Sequence, residues 1–351
     1  MSGKLQYLEG LRGGAALIVV IHHYLLAFAP ELESTFLEYT PLRLLYSGRT
    51  SVCIFFVLSG FVLSYKFFNT LDSRVLIAGA VKRYFRLLLP VIFSIILMCF
   101  LMKGNLVFSY AVYPLTASDW LQGHLAFEPS FSDALYQGFV SCFFLFEASY
   151  NSALWTMSWE LYGSIIVFVL AFIISRINRW GIFLAAIACL ALSKTYFPGF
   201  ILGLLLSYAY VNYKPVKLLN DIRWKNSLLV LAVLLLSYDR SKNCLFLGGA
   251  LLIYILLYSK RLQGFFSSLF FVWLGRISFS MYTIHMVILC TFSSFIYLQL
   301  PSEISFYLKF LLILAISIPI IFIIAYIICA LIDARSIKFS KAIAKYALNK
   351  D

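Results

Sequence analysis

Charge is what this 351-residue sequence has least of. Asp, Glu, Lys and Arg make up 12% of it and hydrophobic residues 62%, whereas an ordinary soluble domain is roughly 25% charged. So little polar surface excludes both a water-soluble enzyme and a disordered chain. No polar stretch is long enough to fold as a separate soluble domain. The charge that is present is lopsided, with 28 Lys and Arg against 15 Asp and Glu. In a soluble domain that surplus would suggest nucleic acid, but these cations lie between apolar runs, where the positive-inside rule explains them, and no nucleic-acid partner is expected. Metal-ligand and disulfide spacings are missing too. The seven cysteines are scattered singly without a CxxC or His–Cys cluster, and read as small buried hydrophobes. No acid–histidine cluster has ligand spacing, so no metal is implied. A tandem repeat and the paired, Gly/Pro-broken half-helices of an inverted-repeat transporter are also lacking. The first apolar run follows one lysine and is not succeeded by a small-residue cleavage site, so it is expected to stay as a helix.

Apolar segments fill the chain instead. Runs of membrane-helix type fall near 10–29, 51–70, 84–102, 155–174, 180–193, 197–211, 226–238, 243–258, 273–297 and 306–331, the fifth to eighth being shorter than the rest. They predict an all-α polytopic membrane protein of about ten transmembrane helices. One membrane domain, 1–351, accounts for the sequence: a helical bundle to residue 334, then a basic stretch, 335–351, forming a tail or amphipathic helix on the inner surface. Sidedness tests the count. With the N-terminus inside, Arg43, Arg49, Lys103, Lys194, Arg240, Lys242 and Lys309 face out and the other 21 of the 28 cations face in, which favours ten helices with both termini cytoplasmic. The longest outer loop, about 103–154, carries Trp120 and His124 and is the expected roof over an acceptor site. Within it, 135–146 is apolar but too short to span comfortably, suiting a re-entrant or interfacial piece.

Ionisable groups inside apolar runs are costly and mark function by default. In EGLRGGAALIVVIHHYLLAF, residues 9–28, Arg12 and His23 are eleven steps apart. Eleven helical steps turn about 1,100° and rise roughly 16 Å, so the two share a face, while His22 sits about 100° away. Arg12 alone also suits a cytoplasmic-end anchor paired with Glu9, and a neutral His23 a hydrogen bond to a neighbouring helix. The second span contains FFVLSGF, whose Ser59-Gly60 step permits close backbone approach. VKRYFRLLLP sets Lys82, Arg83 and Arg86 before Pro90. Arginines three apart on one face offer forked donors for phosphate oxygens, though topology anchoring explains them equally. The fourth span opens NSALWTMSWELYGSIIVF; read from the outer face, Glu160 lies roughly 8 Å below Trp155 and so at the depth of His23, where a carboxylate would orient and charge-balance the imidazole. Trp155 also suits an aromatic belt. In WLGRISFSMYTIHMVIL, Ser278, Tyr282 and His285 fall at i, i+4 and i+7 on one face, with His285 either a second catalytic group, a substrate hydrogen-bonder or a satisfied structural histidine.

These five stretches, in this order, resemble the membrane-bound acyltransferase 3 family: LRG with a histidine eleven positions after the arginine, FFVLSGF, RxxR before proline, the W-polar-x-x-x-E helix start and LGRxSxSxYxxH. Leu161 stands where many members carry a second acid. The resemblance implies an O-acyltransferase without an appended hydrolase-like domain, in the inner or plasma membrane. It implies an acyl-CoA donor, acetyl-CoA by default, with phosphates near Arg12, Arg83 and Arg86, and no metal. It further implies His23 as base, Glu160 as its partner, and Ser59, Trp155, Tyr282 and His285 as polar positions lining or supporting the site. The acceptor would be a glycan or lipid-linked hydroxyl; outer-loop aromatics such as Trp120, Tyr136 and Tyr150 could stack on sugar rings, although aromatics are expected at a membrane interface in any case. Direct transfer and an acyl-histidine intermediate both remain open. A carrier or flippase for a lipid-linked sugar or small anion is the rival reading, since a buried His/Glu/Arg set also suits a proton-coupled transporter.

Overall fold

The structure, a computed structural model, describes residues 5–33, 40–177, 179–215 and 221–348, and it contains helices and no strand among them. Each of the ten apolar runs forms a helix: α1 Gln6–Phe28, α2 Gly48–Thr70, α3 Arg74–Lys103, α4 Thr156–Ile177, α5 Arg179–Ala191, α6 Phe197–Asn212, α7 Ile222–Ser237, α8 Lys242–Tyr258, α9 Leu269–Ile288 and α10 Phe306–Ile328, followed by α11 Ala334–Leu348. Among the described residues, six helical stretches are long and apolar enough to cross a membrane, with a seventh if α8 and the short helix Lys260–Phe266, bent by 101°, count as one span. Length separates the rest. α5 to α8 have 13, 16, 16 and 17 residues, roughly 20–26 Å at 1.5 Å per residue against a hydrocarbon core of about 30 Å.

Small residues set the helix contacts, as expected where lipid tails leave no hydrophobic drive between helices. A Cβ on Gly13 would lie 2.3 Å from the Gly275 nitrogen, and one on Gly275 2.2 Å from the Glu9 carbonyl. α1 and α9 therefore touch backbone to backbone. The offset of 262 residues in the Gly13–Gly275 contact recurs between His23 and His285, so the two helices run parallel in register. α2 lies antiparallel to α1, with Gly48 against the His22 ring and Ser59 beside Arg12 in one cavity. α6 runs parallel to α2, Gly60 and Gly203 meeting the carbonyls of Phe200 and Val57. α7 returns to the N-terminal end of α2, where the Thr50 hydroxyl donates to the Leu236 carbonyl at 3.1 Å.

Two segments position the site. Between α3 and α4 the chain dips back into the bundle: Phe131 packs on Phe100 near the C-terminal end of α3, Gly138 on Ile92, and the Tyr84 hydroxyl donates to the Phe139 carbonyl at 2.9 Å. This is the apolar 135–146 piece, and its descent starts α4 deep in the bundle. The second is the C-terminal end. Helix continues from Phe306 to Leu348, 43 residues, about 65 Å and so roughly twice the hydrocarbon thickness. The stretch read as a basic tail or amphipathic helix is a helix docked on α3, with the Ser336 hydroxyl donating to the carbonyls of Phe85 (3.0 Å) and Arg86 (2.8 Å).

Candidate active site

The residues singled out along the sequence gather at two levels. The lower is a cavity of about 210 Å³ among α1, α2, α3, α4 and α9, lined by Arg12, Ser59, Arg83, Arg86, Thr156, Glu160, Ser278 and Tyr282, with Phe55, Phe56 and Phe279 as its apolar walls. Arg83 pairs with Glu160, both side chains largely buried, and the Ser59 hydroxyl donates to the other Glu160 oxygen at 2.9 Å. Arg86 makes a two-pronged pair with Asp333, the second bond 3.0 Å long, and its guanidinium lies 5.3 Å over the Phe279 ring. Among the described residues Arg12 makes no ion pair and no hydrogen bond, leaving its forked donors free for an anion in the cavity. The cavity keeps Ser278 satisfied within α9, its hydroxyl donating to the Gly275 carbonyl at 2.8 Å.

The upper level is built on two histidines. His285, fully buried, has Nδ1 3.2 Å from the Met281 carbonyl and Nε2 3.1 Å from His23 Nδ1, which itself lies 2.9 Å from the Val19 carbonyl. A carbonyl only accepts, so His285 carries its proton on Nδ1 and offers the Nε2 lone pair, while His23 carries its proton on Nδ1. That assignment leaves His23 Nε2 unprotonated, with no hydrogen-bond partner among the described residues. It is the tautomer a general base needs. Trp120, from the segment between α3 and α4, packs over the same ring at 5.4 Å.

Glu160 does not reach His23. By antiparallel register His22 meets Gly48 and Arg12 meets Ser59, and Glu160 bonds Ser59. It thus sits at the depth of Arg12, roughly 16 Å below His23. The reading from sequence assumed that α4 starts at the outer face; the dipping segment before it lowers its start, and Glu160 with it. The partner of His23 is His285, and Glu160 serves Arg83. Trp155 lies outside the cavity that Glu160 lines, packing on Tyr196 at 5.1 Å, whereas Tyr282 ties α9 to the start of α4 through Thr156 (2.7 Å) and the Ala153 carbonyl. Of the outer aromatics, Trp120 faces His23 and Tyr136 is exposed, but Tyr150 is fully buried and bonded to Ser130, so it cannot stack on a sugar. Asp333 was missed altogether. An acid at the end of the last apolar run was a signal, but nothing in its spacing ties it to Arg86. Among the described residues no group of three or more His, Cys, Asp or Glu is arranged to hold a metal.

Comparison with known proteins decides what this arrangement belongs to. The acyltransferase 3 profile, described as an acyltransferase domain, matches residues 5–330. The chain belongs to the acyltransferase 3 family. The match takes in both levels of the site and the short helices α5 to α8, and ends before α11. The O-acetyltransferase PaAT-1 of Phomopsis amygdali is 42% identical over 73 residues, covering 19% of this chain and 15% of that protein, so the chain spans only a small part of that relative. No solved structure matches significantly. With its apolar helices, this family member is an all-helical integral membrane protein.

Proposed function

We propose that this acyltransferase 3 protein moves an acyl group, acetyl by default, from cytoplasmic acyl-CoA to a hydroxyl of a carbohydrate or other extracytoplasmic or lipid-linked acceptor. The observation that carries the reading is the two-level geometry: a free guanidinium and two paired ones below, a base-competent imidazole roughly 16 Å above on the same helix face. A donor with phosphates at one end of a long flexible arm and a thioester at the other suits those levels. Arg12 takes a phosphate directly; Arg83 and Arg86 add donors as their acids allow. Phe55, Phe56 and Phe279 give the lower cavity apolar walls along which the arm leaves the arginines. His23 Nε2 takes the proton from the acceptor hydroxyl as its oxygen attacks the carbonyl carbon, and His285 orients the ring and shares the charge. The C–S bond breaks, CoA leaves inward and the ester stays outside.

The same reading needs the arginines on the cytoplasmic side and the histidines toward the outside of the inner or plasma membrane. Ten spans with both termini cytoplasmic supply that. Parallel packing of α1 and α9 requires an odd number of crossings between them, so the short helices α5 to α8 cross in even number, all four or none at the extremes. The test is CoA release and ester formation by purified protein, wild type beside His23→Ala and Arg12→Ala. The expectation is loss of transfer in the first and a raised donor KM in the second. Unchanged transfer in His23→Ala would remove the base assignment.

A further inference from the structure

A second histidine outside α1 has the surroundings of a catalytic base. In the outer loop His124 Nδ1 lies 2.7 Å from the Trp120 carbonyl, and Nε2 2.7 Å from the Ser152 hydroxyl oxygen. The carbonyl can only accept, so the ring proton is on Nδ1 and the Ser152 hydroxyl donates to the Nε2 lone pair. A hydroxyl donating to an imidazole whose other nitrogen is held by a fixed acceptor is the arrangement that activates a serine nucleophile. Burial lowers the His124 ring from its ordinary value and so keeps it neutral, with the Nε2 lone pair facing the Ser152 hydroxyl.

Location strengthens the chemistry. Ser152 precedes Glu160 by one short 3₁₀ turn, Ser152–Trp155, and the first residues of α4, a climb of roughly 14 Å. That is the level of His23 above Arg12. Ala153, next in sequence, accepts a hydrogen bond from Tyr282, a wall of the arginine cavity, and Asn151, just before, donates to the Thr283 carbonyl at 2.8 Å. On its other side the Trp120 ring packs on both His124 (4.3 Å) and His23 (5.4 Å). Ser152 therefore stands where an arm rising from the arginines ends, beside the proposed base.

We propose that Ser152 is a catalytic nucleophile that carries the acyl group between donor and acceptor, a step that rests on the acyl-transfer reading above. Ser152 Oγ attacks the thioester carbonyl, its proton passing to His124 Nε2; the Oγ–C bond forms, the C–S bond breaks and CoA departs as thiolate. An acceptor hydroxyl then attacks the serine ester. His23 Nε2 takes the acceptor proton and later releases it to solvent, matching the one the thiolate takes up, while His124 returns its proton to Ser152 Oγ as the Oγ–C bond breaks.

The test incubates the purified full-length protein with radiolabelled acetyl-CoA and no acceptor, quenches in acid and maps the label by peptide mass. The expected result is a hydroxylamine-sensitive acetyl group on the peptide containing Ser152. It should be absent in Ser152→Ala, slowed at least tenfold in His124→Ala, and retained in His23→Ala, whose defect lies in the second half. Ser152→Cys should hold the label as a thioester, which keeps the test sound should the alanine variant fold poorly. Ester formation at the wild-type rate by Ser152→Ala, or label on His23, overturns the proposal while leaving acyl transfer intact. A wild type that forms no acetyl-enzyme and releases no CoA without acceptor overturns this step alone, whereas a folded wild type that releases no CoA even with a glycan extract present overturns the transfer reading as well.

Discussion

His23 owes its availability to other residues. The carbonyl of Val19 and the lone pair of His285 both draw its proton to Nδ1, and that leaves Nε2 free. Removing the base itself should cost about 10²- to 10⁴-fold in kcat. His285→Ala should cost less, about 10- to 100-fold, the usual effect of removing an orienting partner, with little change in donor KM. Steady-state kinetics on the two variants separates the roles; equal losses would mean that both rings touch substrate. The Arg83–Glu160 pair makes a different prediction. Truncating one member of a buried pair strands a charge at a cost of about 3–5 kcal/mol, so Glu160→Ala should unfold at lower temperature in detergent than wild type. Arg83→Ala combined with Glu160→Ala should recover part of that loss, and strictly additive effects would refute the coupling. At this scale the sequence was half legible. Arg12 and His23 could be paired because helical spacing fixes which residues share a face, and their face does meet α2 and α9. Glu160 was assigned to the wrong partner because its depth depended on where α4 begins, and spacing within one helix carries no information about that.

Among the elements, the α1–α9 contact matters most for chemistry, since it sets the distance between the two imidazoles. Gly13 and Gly275 permit backbone contact at which any Cβ would lie under 3 Å from main-chain atoms. Gly275→Ala should therefore push the helices apart, at a stability cost of about 1–3 kcal/mol for overpacking. It should lower kcat as His285 leaves His23, even though the substitution touches no substrate. A wild-type kcat in the folded variant would show that the histidine contact is dispensable. Small residues in apolar runs announce close packing; the Ser59-Gly60 step was legible in that sense, whereas the Gly13–Gly275 contact joins residues 262 apart and shows only in the fold. The dipping segment was visible only as an apolar piece too short to span. That the C-terminal stretch docks on α3 and supplies Asp333 to Arg86 depends on long-range contacts that leave no periodic trace in the sequence.

For the molecule as a whole, the proposed ten-span topology draws on charge asymmetry and on helix direction. Six stretches are long and apolar enough to span, yet α5 to α8 each alternate in direction beside α2 and α4: Gly181 at the start of α5 meets Ile174 near the end of α4, and α7 ends beside the start of α2. Single cysteines introduced at Ser193 and Tyr213 in a background without the seven native ones should be labelled by a membrane-impermeant maleimide from opposite sides, the first from outside and the second from the cytoplasm. Labelling of both from one side would mean that α6 does not cross, and the ten-span topology would fall.

The central claim is that acyl transfer runs from a cytoplasmic donor, through His23, to an outer hydroxyl. The most direct measurement uses proteoliposomes of wild type, His23→Ala and Arg83→Ala, with radiolabelled acetyl-CoA on the face carrying the basic loops and a mixed glycan extract on the other. The predicted result is multiple-turnover CoA release on the donor face and label in glycan on the other, with turnover and glycan label lost in His23→Ala and both recovered at higher donor concentration in Arg83→Ala. A folded wild type that binds no acyl-CoA, with both variants behaving alike, would contradict the donor assignment and favour a carrier.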